Sequence, residues 1–284
     1  MSTRTPTLRL LAAGVLSAAL GAGSLGCASS QAATSASRGA RPGSERASES
    51  AAPGPTDAQR RARVHYELAI DRMRSDRNPE AIGELLQAVR LDPADANIRL
   101  ALAEAYRRSG RVVETEQHLQ AALSIDPAFQ AAHLNLSGLY IQLERYEDAI
   151  VHAQHLVDDP TFPSPWQALT NLGWAEYKLG RLDAAAQHLR LAIDYRDSYW
   201  PARLNLGILA ADRGDRDQAV EHFERVLTEE PGVMAEAEAR YRLAELYVSM
   251  GDKRRAIAQL NKASDLRPSG PWSKRSAEYL QTLQ

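Results

Sequence analysis

The chain has 284 residues, 44% hydrophobic, 25% charged and only 6% aromatic, with a formal net charge of -2. No basic excess is available to hold a phosphate backbone, so nucleic acid is not an expected partner. The single cysteine, Cys27, excludes an intramolecular disulfide.

At the N-terminus, Arg4 and Arg9 precede an apolar run from Leu10 to Leu25 that ends in Ser24-Leu25-Gly26-Cys27. A basic start, a short apolar stretch and small residues before a cut site describe a secretory signal. The run is shorter than the ~20 residues a spanning helix needs. Its ending resembles a bacterial lipobox, whose cysteine sulfur takes diacylglycerol. Gly26 and Cys27 match that pattern, while Ser24 stands in the usual leucine place and Leu25 one place late. The resemblance implies a signal peptide over 1–26 and lipidation at Cys27; an ordinary signal peptide with an incidental cysteine is the alternative. Ala28 replaces the aspartate of the familiar inner-membrane retention signal, which implies the periplasmic face of the outer membrane, with the lipid as the only membrane contact. Residues 28–56 are Ser, Ala, Gly, Arg and Pro with almost no large apolar side chain. Such a segment cannot bury enough surface to offset its ordering entropy. With Cys27 it is expected to form a tether over 27–56, spanning about 30 Å as a flexible coil.

From about Arg61, apolar residues recur at helical spacing, and a longer period overlies them. Leucine followed by a small residue recurs at Leu68-Ala69, Leu102-Ala103, Leu136-Ser137, Leu172-Gly173, Leu206-Gly207 and Leu243-Ala244. Twelve residues after each small residue stand Ala81, Thr115, Ala149, Ala185, Ala219 and Ala256. Four further on are Leu85, Leu119, Leu189, Phe223 and Leu260, with Ala153 the exception. Asp92-Pro93, Asp126-Pro127, Glu230-Pro231 and Arg267-Pro268 close four units, where proline cannot continue a helix. Gly110, Gly180, Gly214 and Gly251 fall at the turns between paired helices, where a left-handed conformation costs glycine least.

These landmarks resemble the tetratricopeptide repeat, a helix-turn-helix unit of about 34 residues. The resemblance implies an all-α, right-handed superhelical solenoid of six repeats over 57–284, at about 62–95, 96–129, 130–163, 166–199, 200–233 and 237–270. Small residues are expected to let the helices of one unit approach, with the large apolar positions filling the gap to the next. A capping helix over 271–284 would carry Lys274, Arg275 and Glu278 on its outer face. Extra residues in "DDPTFPSP" and "PGVMAEAE" are expected to form loops that shift the angle between units.

Catalytic chemistry is absent from the pattern. No phosphate loop, nucleophile elbow or zinc-protease signature occurs, so no catalytic residue, cofactor or small-molecule substrate is expected. His118, His152, His188 and His222 form a ladder with one rung per unit. Rungs ~8–10 Å apart cannot converge on one ion. His152 and His155 share a helix face with no third ligand evident, and no metal site is expected.

The first helix of each unit should line the concave side, where Leu134, Ile141, Thr170, Asn171, Trp174, Tyr177, Leu204, Asn205 and Ile208 are the candidate partner-binding residues. Their apolar, aromatic character suits an amphipathic helix or an extended apolar segment of a partner protein; alternatively, Trp174 and Tyr177 pack against the neighbouring unit. Lipobox, tether and six repeats together resemble the type IV pilus secretin pilotins, and so do "LNLSGLYIQLERYEDAI" and "DDPTFPSPWQALTNLGW" in detail. This resemblance implies an outer-membrane lipoprotein whose partner is a secretin subunit. A general periplasmic scaffold for peptidoglycan enzymes or gliding machinery is the alternative.

Overall fold

The computed structural model describes residues 54–283; the signal segment, Cys27 and most of the tether lie outside them. Among the described residues are thirteen α-helices and no strand. In chain order they are α1 (Asp57–Arg74), α2 (Asn78–Leu91), α3 (Ala96–Arg108), α4 (Val112–Ile125), α5 (Gln130–Gln142) and α6 (Tyr146–Val157). After these come α7 (Pro165–Lys178), α8 (Leu182–Tyr195), α9 (Trp200–Arg213), α10 (Arg216–Leu227), α11 (Val233–Ser249), α12 (Lys253–Leu266) and α13 (Pro271–Leu283). No helix among them is long and apolar enough to cross a membrane.

Local chemistry sets the helix ends. Thr56 accepts from the Gln59 amide while the Gln59 side chain accepts from the Thr56 amide, a capping box that starts α1 at Asp57. Asp95 accepts from the amides of Asn97 and Ile98 at the head of α3. Proline at the first turn of α2, α7 and α9 uses a position whose N–H has no partner in the helix. The turns inside the six pairs all need one residue at positive φ. Gly110, Gly180, Gly214 and Gly251 supply it at 71°, 77°, 83° and 81°, as the spacing predicts. In the first and third pairs Asp76 and Glu144 adopt φ 58° instead, which the sequence pattern does not reveal.

Each odd-numbered helix from α1 to α11 packs antiparallel on the next, and each pair packs on its neighbour. Gly207 shows why small residues recur: a Cβ there would lie 2.6 Å from Phe223 Cε1, inside any real contact. Gly173 faces Leu189 in the same way, at 2.8 Å. The large side chains of α8 and α10 therefore sit on the glycine of their own pair, not only in the gap to the next. Where that position is Ala153, the fully buried Leu156 one turn later packs with Phe162 from the following loop and with Ala168 on α7. The loop over 158–164 is thus plugged into the core, and Gln130 Nε2 ties it to α5 through Asp159 and Thr161.

First helices also meet first helices: α1 meets α3, α5 meets α7, α7 meets α9, and α9 meets α11. No two second helices come as close. A stack whose first helices converge must bend toward them, so they line its inner face. The last pair is covered by α13, where Trp272 is buried against Tyr241 with ring centroids 5.3 Å apart and Ser273 Oγ donates to the Ala263 carbonyl at 2.7 Å. Lys274 and Glu278 are exposed, as a cap requires; Arg275 is half-buried, its guanidinium 4.8 Å from the Trp272 ring.

Candidate interaction surface

The inner face is built from one stripe per first helix, at i, i+4, i+7 and i+11. On α7 the stripe is Gln167, Asn171, Trp174 and Lys178; α5 presents Ala131, Asn135, Gly138 and Gln142. On α9 it includes Asn205, Ile208 and Asp212, and on α11 Glu238, Arg242 and Glu245.

The predicted site residues divide on this face. Ile141, Thr170, Leu204 and Ile208 are buried at 4%, 5%, 6% and 6% exposure, because neighbouring first helices close over them. Thr170 Oγ1 is spent on the Trp166 carbonyl at 2.7 Å. Trp174 is 8% exposed and belongs to the core shared by α5, α9 and α11, its ring 5.0 Å from Tyr177. Tyr177 is half-buried and donates its hydroxyl to Asp212 on α9, so burial and that carboxylate together raise its pKa. Leu134 is half-buried against the cluster of Leu156 and Phe162. Asn171 and Asn205 stay partly open, Asn171 Nδ2 donating to Ser137 Oγ on α5 at 2.8 Å. The accessible part of the stripe therefore comprises amides and charges over an apolar floor. Gln142, Gln167 and Asp212, absent from the sequence-based set, belong to it.

A charged cluster ends this face. Glu238 is 3% exposed, 3.5 Å from Arg242, with Glu245 and Arg275 beside them. Burial pushes the Glu238 carboxyl up to about 7, opposed by Arg242 and Arg275. Arg242 Nε has no partner among protein atoms.

The histidine ladder resolves into contacts within pairs, between residues nineteen apart. His65 Nδ1 meets Glu84 at 2.7 Å, Arg99 meets His118 Nδ1 at 3.5 Å, His133 Nδ1 meets His152 Nδ1 at 2.9 Å, and Arg240 meets Gln259 at 3.0 Å. Arg203 and His222 line one cavity of about 460 Å³ with Arg225 and Thr228. In the fourth pair Leu169 holds the matching place, and His188 turns instead to Glu176 at 2.7 Å. His118, His152 and His188 thus find partners in their own units, and His222 shares its cavity with Arg203 of the same unit. His133, which the sequence pattern does not single out, completes a group with His152 and His155; its ring stacks on that of His155 at 4.0 Å. Among the described residues no set of three or more His, Cys, Asp or Glu is arranged to hold a metal ion.

Models of the tetratricopeptide repeat match residues 66–132, 107–172, 167–196 and 210–272, together more than half the chain. The chain is a tetratricopeptide-repeat protein. No curated protein matches this repeat protein in sequence. Among solved structures it is similar to PilW, described as a widely conserved type IV pilus biogenesis factor, with TM-score 0.68 and 20% identity over 76% of this chain and 98% of that one. Pseudomonas aeruginosa PilF is similar with TM-score 0.66 and 15% identity, over 79% of this chain and 100% of that one. A chain of the Cut9–Hcn1 hetero-tetramer of APC/C reaches TM-score 0.67 at 16% identity, covering 78% of this chain but 43% of that one. Proteins with such different roles superpose equally well, so these likenesses establish the repeat fold alone.

Proposed function

We propose that this repeat protein is a lipid-anchored outer-membrane assembly factor that catalyses nothing and holds a subunit of the type IV pilus secretin against its inner face. The observation that carries the reading is end-to-end correspondence: the repeat array spans 98% of the type IV pilus biogenesis factor PilW and 100% of PilF, against 43% of the APC/C chain. The lipobox-like Ser24-Leu25-Gly26-Cys27 supports it independently, since a tethered array works at a membrane surface.

The open stripe suggests how a partner is held. Asn135, Gln142, Gln167, Asn171 and Asn205 each offer both a donor and an acceptor, the complement of a peptide group. An extended segment fits such a row better than an amphipathic helix, with Trp174 and Ile208 as its floor. The test is the amount of heat-resistant secretin multimer in outer membranes of a strain lacking the gene, beside a Cys27→Ala strain. The reading expects multimer lost with monomer still present in the first strain, and partial loss in the second. Normal multimers in both would overturn it and favour a general envelope scaffold.

A further inference from the structure

The third helix pair differs from the others in the chemistry of its nineteen-residue contact. In the first, second and sixth pairs this contact joins a histidine to a carboxylate or a guanidinium, or an arginine to an amide; here both partners are imidazoles. His133 Nε2 lies 3.0 Å from the Pro127 carbonyl, an atom that only accepts, so Nε2 carries the hydrogen. The lone pair of neutral His133 is therefore on Nδ1, 2.9 Å from Nδ1 of His152. Without an ion, the two rings share one hydrogen across that gap.

We propose that His133 and His152 form a binding site for a divalent late transition-metal ion, Cu(II) most tightly, through their two Nδ1 atoms. Metal–nitrogen bonds of about 2.0–2.1 Å meeting at a right angle place two nitrogens about 2.9 Å apart. Adjacent positions of a tetragonal ion have that angle, and Cu(II) heads the affinity order for imidazole sites. A hydrogen bond from Nε2–H to a backbone carbonyl is the arrangement that orients a ligating histidine and fixes its tautomer, and Pro127 supplies it. His133 is 8% exposed, so its ring is already held by packing, between the His155 ring at 4.0 Å and the His152 ring at 5.0 Å. Binding through both Nδ1 atoms moves the hydrogen of His152 from Nδ1 to its own Nε2, a change of tautomer that releases no proton when the pair begins neutral. With two ligands from the chain, water completes the shell and the ion exchanges readily. A structural four-ligand zinc site is a different object.

The test uses the untagged full-length chain with Cys27→Ser, so that no thiol competes, freed of metal and titrated with Cu(II) in parallel calorimetry and electron paramagnetic resonance. The site predicts one saturable equivalent, nitrogen superhyperfine structure from two imidazoles, and no net proton release at a pH where both imidazoles begin neutral. Affinity should fall by about tenfold or more in His152→Gln, with far-ultraviolet circular dichroism unchanged, and hold in His188→Gln and His222→Gln. His133→Asn should lose the signal in the same way if it folds. Absence of saturable binding up to millimolar Cu(II), or equal affinity in His152→Gln, would overturn the site.

Discussion

Asp76 and Glu144 show what a single backbone angle costs this array. Both occupy the left-handed region that four other turns give to glycine, and a side chain there costs roughly 1–2 kcal/mol. Glu144→Gly is expected to stabilise the protein by about 0.5–1 kcal/mol, part of the gain being offset by a freer unfolded chain; a denaturant midpoint at unchanged slope measures it. Gly207 is the opposite case. Gly207→Ala drives a methyl against the Phe223 ring and should cost about 1–3 kcal/mol, despite the better helix propensity of alanine. Adding Phe223→Leu should recover part of the loss, so strict additivity of the two changes would show that they do not share the contact. Glu238 governs a pH effect. Its folded pKa of about 7 lies above its ordinary value, so its ionisation opposes folding increasingly as pH rises from about 4.5 through 7. Glu238→Gln should therefore raise the melting temperature relative to the parent protein at pH 8, with the difference shrinking toward pH 5. A gap that stays constant with pH would mean the buried carboxyl does not titrate in that range.

At the scale of helices, much of the architecture was legible because it depends on local chemistry. The recurring Leu-small step marks the side of each first helix that meets its partner, and the glycines at 110, 180, 214 and 251 mark turns whose geometry demands them. The left-handed turns at Asp76 and Glu144 escaped, since one strained residue leaves no pattern when its neighbours compensate. The contacts nineteen residues apart also escaped. Comparing the second helices reveals His118, His152, His188 and His222, but His133 lies on a first helix, outside that register. The capping helix α13 was legible from its proline start and polar face, whereas its grip depends on Trp272, buried between the Tyr241 ring and the Arg242 and Arg275 guanidinium groups. Trp272→Ala should cost about 3–5 kcal/mol, with hydrogen exchange speeding first in α12 and α13 because repeat arrays open from their ends.

For the whole molecule, the candidate surface was only half legible. The positions on the first helices followed from period alone, yet which of them stay open depends on how closely neighbouring units approach, a property of the stack. That approach buries Ile141, Thr170, Leu204, Ile208 and most of Trp174, and leaves the amides and charges accessible. Trp174→Ala is accordingly expected to lower stability by about 3–5 kcal/mol, so a loss of partner binding in that variant would report folding as much as contact. Asn171 is a cleaner probe of the face. A photo-crosslinking residue at Asn171 or Lys178, compared in cells with one at Val151 or Leu191 on the second helices, tests most directly whether partners dock on the inner face. Secretin adducts from the two inner positions and none from the outer ones are predicted. Adducts arising only from Val151 or Leu191, or none with the secretin from any position, would contradict that docking mode.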